Sequence, residues 1–274
     1  MALKDPYTMR TLVHITDIHF GKLTAGAMET MEARIAEINP DICTVGGDFT
    51  MRSRPREWMG ARALIERLPG VVLAVPGNHD LPYVNLWERF RHPYRRFKRY
   101  IHENPDPSYM DDEIAVMGIN TARPWVPHYT WKEGAISDAQ AAAAGRFFRQ
   151  AGANRFKIVF AHHPFLPPPD QPRTYLVRNA PAALSVFEDA GVDMILGGHL
   201  HLAYSGDIAS FHTHIRRPMR CIQGPTVTSS RLRDREPNGF FHLRIEAGRA
   251  ETTTWQWTGS GFEPRIAENR GTIG

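Results

Sequence analysis

Five short stretches concentrate the residues able to hold a metal ion or move a proton. They are Asp17-Ile18-His19, Gly46-Gly47-Asp48, Gly77-Asn78-His79-Asp80, His162-His163 and Gly197-Gly198-His199-Leu200-His201. Carboxylate and imidazole together make the mixed shell favoured by hard or borderline divalent ions such as manganese, iron or zinc. Two such ions can clamp an in-line displacement at phosphorus. Asn78 is the odd member. An amide is a poor metal ligand and a poor acid–base catalyst, so its place between Gly77 and His79 needs a reason.

All five stretches close apolar runs: TLVHIT (11–16), DICTVGG (41–47), VVLAVPG (71–77), KIVFAHH (157–163) and DMILGGH (193–199). A sixth run, EIAVMGIN (113–120), ends in Asn120. Such near-continuous apolarity predicts strands buried on both faces. Helices are expected between them. Met28, Met31, Ile35 and Ile38 recur at helical spacing in 27–38, and 56–68 behaves likewise. Ser137 and Gln140 form a capping box for 137–152, and 181–191 opens on Pro181 and ends on Gly191. Strand–helix alternation to about residue 200 argues an α/β core, in which ligands bind outside the carboxyl ends of strands. Beyond it, FHTHIRRPMRCIQ, NGFFHLRIEA and AETTTWQWT read as strands without helices between them. The expectation is one domain over 1–274, with second-sheet, largely antiparallel strands over 202–258 and a loose tail over 259–274.

Each stretch also has a bland reading. An Asp after a strand caps a turn, a lone loop His is a satisfied polar group, and paired glycines are turns. Five such coincidences at five strand ends are a poor explanation of the pattern.

The order D-x-H, G-D, G-N-H-D, H-H and G-H-x-H, intact between residues 17 and 201, resembles the calcineurin-like metallophosphoesterase superfamily. The resemblance implies a four-layer αββα sandwich: two mixed β-sheets with helices on the outer faces and two divalent metal ions (Mn, Fe or Zn) at the strand ends. Asp17, His19, Asp48 and His201 would hold one ion. Asp48, Asn78, His162 and His199 would hold the second, with Asp48 bridging. A metal-activated hydroxide would attack phosphorus. His79 would face the substrate as a catalytic residue. Asp80 would orient the His79 ring or cap the next segment. His163, Phe20 and Asn120 are candidate substrate-side residues. Charge gives Asn78 a reason: two divalent ions, two carboxylates and a hydroxide leave +1, which suits a phosphodiester monoanion and which a third carboxylate would cancel. Among branches, G-N-H-D and G-H-x-H most resemble the bacterial class III cyclic-nucleotide phosphodiesterase and glycerophosphodiesterase group. The implied substrate is a small phosphodiester. A lipid-linked pyrophosphate hydrolase, a phosphomonoesterase and a non-catalytic scaffold are the alternatives.

Composition bounds the rest. A chain of 274 residues with 42% hydrophobic content can bury one large core. The net charge of +4 suits anionic ligands without indicating nucleic acid. Cys43 reads as a small buried hydrophobe, not half a disulfide with Cys221. No stretch is long and apolar enough to span a membrane, and MALKDPYTMR carries no secretory apolar segment. A cytoplasmic protein is the expectation, with a homo-oligomer among the forms it could take. RFRHPYRRFKRY (89–100) reads as a solvated basic face. Trp125, His128, Tyr129 and Trp131 could wall a cleft, and the Pro-rich 164–172 is expected to rim the site.

Overall fold

In the computed structural model, residues 8–125 and 133–265 are described. His128, Tyr129 and Trp131 lie outside them. The strands are β1 (Arg10–Ile15), β2 (Ile42–Val45), β3 (Val71–Ala74), β4 (Ser108–Met110), β5 (Ile114–Ile119), β6 (Phe156–Ala161), β7 (Met194–Gly197), β8 (Tyr204–Asp207), β9 (Arg220–Gln223), β10 (Gly239–Glu246), β11 (Arg249–Trp257) and β12 (Phe262–Pro264). The helices are α1 (Ala27–Ile38), α2 (Pro55–Ile65), α3 (Leu86–Arg91), α4 (Arg95–Tyr100), α5 (Asp138–Gln150) and α6 (Ala180–Asp189). They form two mixed six-stranded sheets, ordered β12-β11-β10-β1-β2-β3 and β4-β5-β6-β7-β9-β8.

Side-chain alternation explains the layers. In a strand, successive residues point to opposite faces. Leu12, Ile42, Ile114, Val116, Ile158, Phe160, Leu196 and Leu243 belong to one apolar cluster made by strands of both sheets. Their neighbours Val13, Cys43 and Val45 pack instead with Met31, Ile35, Trp58 and Leu64 of α1 and α2. On the other side, Ala115, Val159, Ile195 and Cys221 pack with Phe148 of α5 and Phe187 of α6. The order helix, sheet, sheet, helix follows, and it accounts for strands that are apolar at most positions on both faces.

The late strands depart from expectation. Only β8 and β9 join the second sheet, where β9 runs parallel to β7. β10 and β11 join the first sheet, β10 lying antiparallel on β1 with Arg10 opposite Ile245. The free edge of β1 needs a partner, and β10 supplies hydrogen bonds and apolar Leu243 and Ile245 to the inter-sheet core. The loose tail is also corrected at its start. Phe262 is 1% exposed, and β12 pairs with β11 through Trp257 and Phe262. Pairing with β11 and the packing of Phe262 against Phe240 and Trp257 hold this three-residue edge strand.

The basic 89–100 segment is less solvated than expected. Arg89 is buried and donates to the carbonyls of Pro82 and Pro124. Arg96 pairs with buried Glu88, and Phe97 packs against Phe49 and Trp58. Cys43 and Cys221 are buried free thiols in different sheets. Among the described residues, no helix is long and apolar enough to cross a membrane.

Candidate metal centre

The loops after β1, β2, β3, β6 and β7 meet at the strand ends, where the structure brings the seven candidate ligands together. Oxygen and nitrogen donors of Asp17, His19 and His201 lie within 4.8 Å of one another, as do those of Asp17, Asp48 and His162. Asp48 Oδ2 stands 3.6 Å from His19 Nε2 and 3.4 Å from His162 Nε2, so it lies between the two sets. Asn78 Oδ1 is 3.1 Å from His162 Nε2, which is 3.2 Å from His199 Nδ1. His201 Nε2 is 3.1 Å from both Asp17 Oδ1 and His19 Nε2.

The backbone is bent to make this possible. Asp17, His19, Asp48, His199 and His201 all have left-handed φ, between 54° and 73°. Each such residue costs about 1–3 kcal/mol, a strain typical of functional sites. Backbone bonds stitch the first two loops together: Asp17 N donates to Gly47 O and His19 N to Asp48 O. Glycine is required for close approach. A Cβ at Gly77 would overlap Asp48 Oδ1 and its amide. Gly77 itself has φ −101°, so it serves this contact and not a left-handed turn.

Outer hydrogen bonds orient the rings. His162 Nδ1 bonds Gly46 O at 2.8 Å and His201 Nδ1 bonds Arg231 O at 2.7 Å, which leaves each Nε2 for the centre. Asp17 Oδ2 accepts from Thr16 Oγ1 and from His199 N. Asp17 Oδ1 is buried with no hydrogen-bond partner. A buried carboxylate oxygen that lacks a well-aligned donor, 3.1 Å from His201 Nε2 and 3.7 Å from His19 Nε2, is what a cation would satisfy, and the donor set fits two divalent ions.

The electrostatics agree. Burial opposes the charge on Asp17, yet His201 and His162 hold its carboxyl well below the usual range. Asp48 is likewise held down, against burial, by His162 and His79. Burial disfavours the charged His162 ring, but Asp48 and Asp17 raise it to about 9. Burial lowers His19 to about 4 and His199 to about 3.

The remaining predicted residues separate. His79 lines the cleft with Asp48, Asn78, His199 and His201. Its Nδ1 bonds Met51 O at 2.9 Å and its ring is edge-on to His19 at 4.9 Å. Asp80 does not orient that ring. Its carboxylate accepts from Gly77 N, Phe49 N, Thr50 N and Thr50 Oγ1, tying the β2 and β3 loops together. Burial, then Asp48, raises it to about 7. Phe20 packs over Gly60 of α2 and pairs with Thr50, away from the cleft lining. Asn120 is buried and accepts from Ala122 N, as a loop brace. His163 is buried, with Nδ1 on Thr121 Oγ1 and Nε2 unpartnered, and its donors cluster with those of His162 and His199. Trp125 is exposed and no residue of 164–172 is in the cleft lining.

The sequence reading missed two groups. His14 crosses between sheets, from Thr44 Oγ1 at 2.9 Å to Gly197 O at 3.4 Å. Its place inside an apolar run was a usable signal. Arg231, Leu232 and Arg233 complete the cleft lining, and nothing distinguishes their sequence from other arginine-rich surface.

Comparison with known proteins agrees with this geometry. No curated protein sequence matches the chain. A purple acid phosphatase from yellow lupin (Lupinus luteus) seeds superposes with a TM-score of 0.64 at 12% identity, over 94% of this chain and 53% of that one. The chain thus spans about half the length of the lupin enzyme. A dimetal phosphatase from Danio rerio superposes with a TM-score of 0.62 at 11% identity, over 91% of this chain and 99% of that one. At such identities the likeness speaks for the fold. The family model for calcineurin-like phosphoesterases matches residues 10–203, the span holding all seven candidate ligands, and the chain belongs to the calcineurin-like phosphoesterase family.

Proposed function

We propose that this phosphoesterase is a phosphodiesterase for small substrates, with Asp17, His19, Asp48 and His201 holding one divalent ion and Asp48, Asn78, His162 and His199 a second. The observation that carries the reading is the gathering of donors around buried Asp17, His19 and His201 in one set and Asp48 and His162 in another, with Asn78 and His199 joined on through His162 Nε2. When bound, two divalent ions supply Lewis acidity at the phosphoryl oxygens and acidify water for in-line attack.

The chain's own residues divide the remaining work. Asp48 reaches both ligand sets through Oδ2 while its Oδ1 is held by His79 N at 2.8 Å. Asn78 contributes a neutral oxygen, which keeps positive charge for an anionic substrate. His79 takes the leaving group. Because the Met51 carbonyl accepts from Nδ1–H, Nε2 carries a proton only in the imidazolium, and that proton passes to the departing alkoxide. Asp80 holds the loop from which Asn78 and His79 project.

A cytoplasmic enzyme of the class III cyclic-nucleotide and glycerophosphodiesterase group fits this reading. The lipid-linked pyrophosphate alternative would be favoured by a cleft wall built from the basic 89–100 segment beside an apolar groove, and among the described residues the cleft lining includes none of that segment. A non-catalytic scaffold has no need of a complete donor set. The test is hydrolysis of bis(p-nitrophenyl) phosphate against p-nitrophenyl phosphate after loading with manganese, iron or zinc. Faster diester cleavage is expected. A strong preference for the monoester would make the chain a phosphomonoesterase, and no cleavage of either with any metal would sink the catalytic reading.

A further inference from the structure

The segment after β9 returns to the metal loops and is bound to them closely. Val227 N donates to Thr16 O, and the hydroxyls of Thr226 and Thr228 donate to the carbonyls of Asp17 and Ile18. Ser230 N donates to Lys22 O, and Asn238 Nδ2 donates to the carbonyls of Thr226 and Ser229. Thr24 N completes the join by donating to Thr228 O. The base of this loop is therefore fixed relative to Asp17 and His19. Its next residue, Arg231, holds His201 through its carbonyl. Asp234 and Arg235 then turn the chain away in left-handed backbone, at φ 50° and 60°.

Two cations result, on either side of Leu232 and lining the cleft of Asp48, Asn78, His79, His199 and His201. Elsewhere arginines find carboxylates: Arg10 with Asp111, Arg62 with Glu66, Arg67 with Glu32 and Arg96 with Glu88. Among the described residues, neither Arg231 nor Arg233 has an ion-pair partner. Among the described residues, the Arg231 guanidinium donates only to Met51 Sδ, at 3.5 Å. Unpaired guanidinium groups beside a phosphoryl site present forked donors suited to oxyanions. They also alter the charge balance. The ions, carboxylates and hydroxide that serve a diester monoanion leave +1, and two arginines raise it to +3. A substrate with a single charge leaves that surplus unmatched.

We propose that Arg231 and Arg233 form an anion subsite, so that the natural substrate is a phosphodiester bearing a second phosphate group away from the phosphorus attacked. This deepens the phosphodiesterase reading and rests on it. Simple cyclic nucleotides and glycerol diesters without further charge become the poorer substrates.

A matched pair tests it: thymidine 5'-(p-nitrophenyl phosphate) and the same ester carrying a 3'-phosphate, with the metal-loaded full chain. The 3'-phosphorylated ester should have kcat/KM higher by about tenfold or more. In the Arg231→Ala/Arg233→Ala variant the ratio should fall below about threefold, and Arg62→Ala should keep the wild-type ratio. Both arginines are exposed and the Arg231 carbonyl survives truncation, so folding is checked simply by Tm. Equal kcat/KM for the two esters overturns the proposal, as does a preference that survives in the double variant. Cleavage of bis(p-nitrophenyl) phosphate but of neither thymidine ester removes the subsite and leaves the phosphodiesterase. If none of the three is cleaved, calorimetry with thymidine 3',5'-bisphosphate and thymidine 5'-monophosphate still decides. Tighter binding of the bisphosphate, lost in the double variant, supports the subsite, and equal binding overturns it.

Discussion

The two sheets contribute opposite chemistry to one site. The first, through the loops after β1, β2 and β3, provides both carboxylates and the amide, with His19 its one candidate imidazole ligand. The second, through the loops after β6 and β7, provides His162, His199 and His201 and no acid. Their construction differs too. First-sheet loops bind one another through backbone and Asp80, as in His19 N to Asp48 O and Thr50 N to Asp80 Oδ1. Second-sheet loops reach across to the first through His162 Nδ1 to Gly46 O and His199 N to Asp17 Oδ2. The centre therefore lies on the seam, and negative charge comes from one side of it.

Removing the shared carboxylate should break this arrangement most severely. Asp48→Ala takes a donor from both sets at once. Lewis-acid stabilisation is worth several kcal/mol, and at about 1.4 kcal/mol per decade turnover should fall on the order of 10³-fold. Metal analysis should show both ions weakened. Full occupancy of two ions in this variant would show that Asp48 does not join the sets.

His79 belongs to the first-sheet side but binds no metal in this reading. His79→Ala should lower kcat by about 10²-fold, the lower end of acid–base contributions, with metal content retained. The loss should shrink for a substrate with a nitrophenolate leaving group, which needs no proton. Loss of both metals would merge the roles kept apart here.

Asp80 tests the staple directly. Asp80→Asn puts an amide where four donors converge, and burying a mismatched group costs about 1–3 kcal/mol. Thermal unfolding should move down by several degrees, about 2–4 °C per kcal/mol at this size. An unchanged Tm with lost activity would restore a catalytic role to Asp80.

These contrasts also explain what could be read from residues alone. Ligands were legible because metal chemistry admits few residue types, and because Asp17, Asp48, Asn78, His162 and His199 follow apolar runs directly. The layers were legible because strands buried on both faces are nearly continuous apolar runs. Sheet membership of β10 and β11 was not, since an alternating strand carries no label for the edge it will pair with. Asp80 next to His79 looks the same whether it faces the ring or the backbone; only the path of the β2 loop decides. Arg231 and Arg233 are ordinary surface residues until the hydroxyls of Thr226 and Thr228 fix their loop on Asp17 and Ile18.

The smallest expected effect concerns the proton shared across the seam. In the metal-free protein, burial disfavours His162 as a cation, but Asp48, Asp17 and the Gly46 carbonyl together outweigh it and set the ring at about 9. The raised value means that this pair stabilises the fold fully below the ordinary histidine range, near 6.5, and loses the contribution as pH rises through about 9. Metal binding needs the neutral ring, so it must displace that proton. At pH 7.5 an ordinary imidazole with pKa about 6.5 has already lost most of its proton and would release roughly a tenth of one. His162 should instead release nearly one. Calorimetric titration of the chelator-treated protein with zinc, in buffers of different ionisation enthalpy, counts the total release, to which His201 and metal-bound water also contribute, and the difference from His162→Gln isolates the share of this ring. His162→Gln should remove nearly one released proton along with part of the affinity. A difference near a tenth of a proton would mean that His162 is neutral before metal arrives, and the charge asymmetry between the sheets would then not be compensated across the seam by this pair.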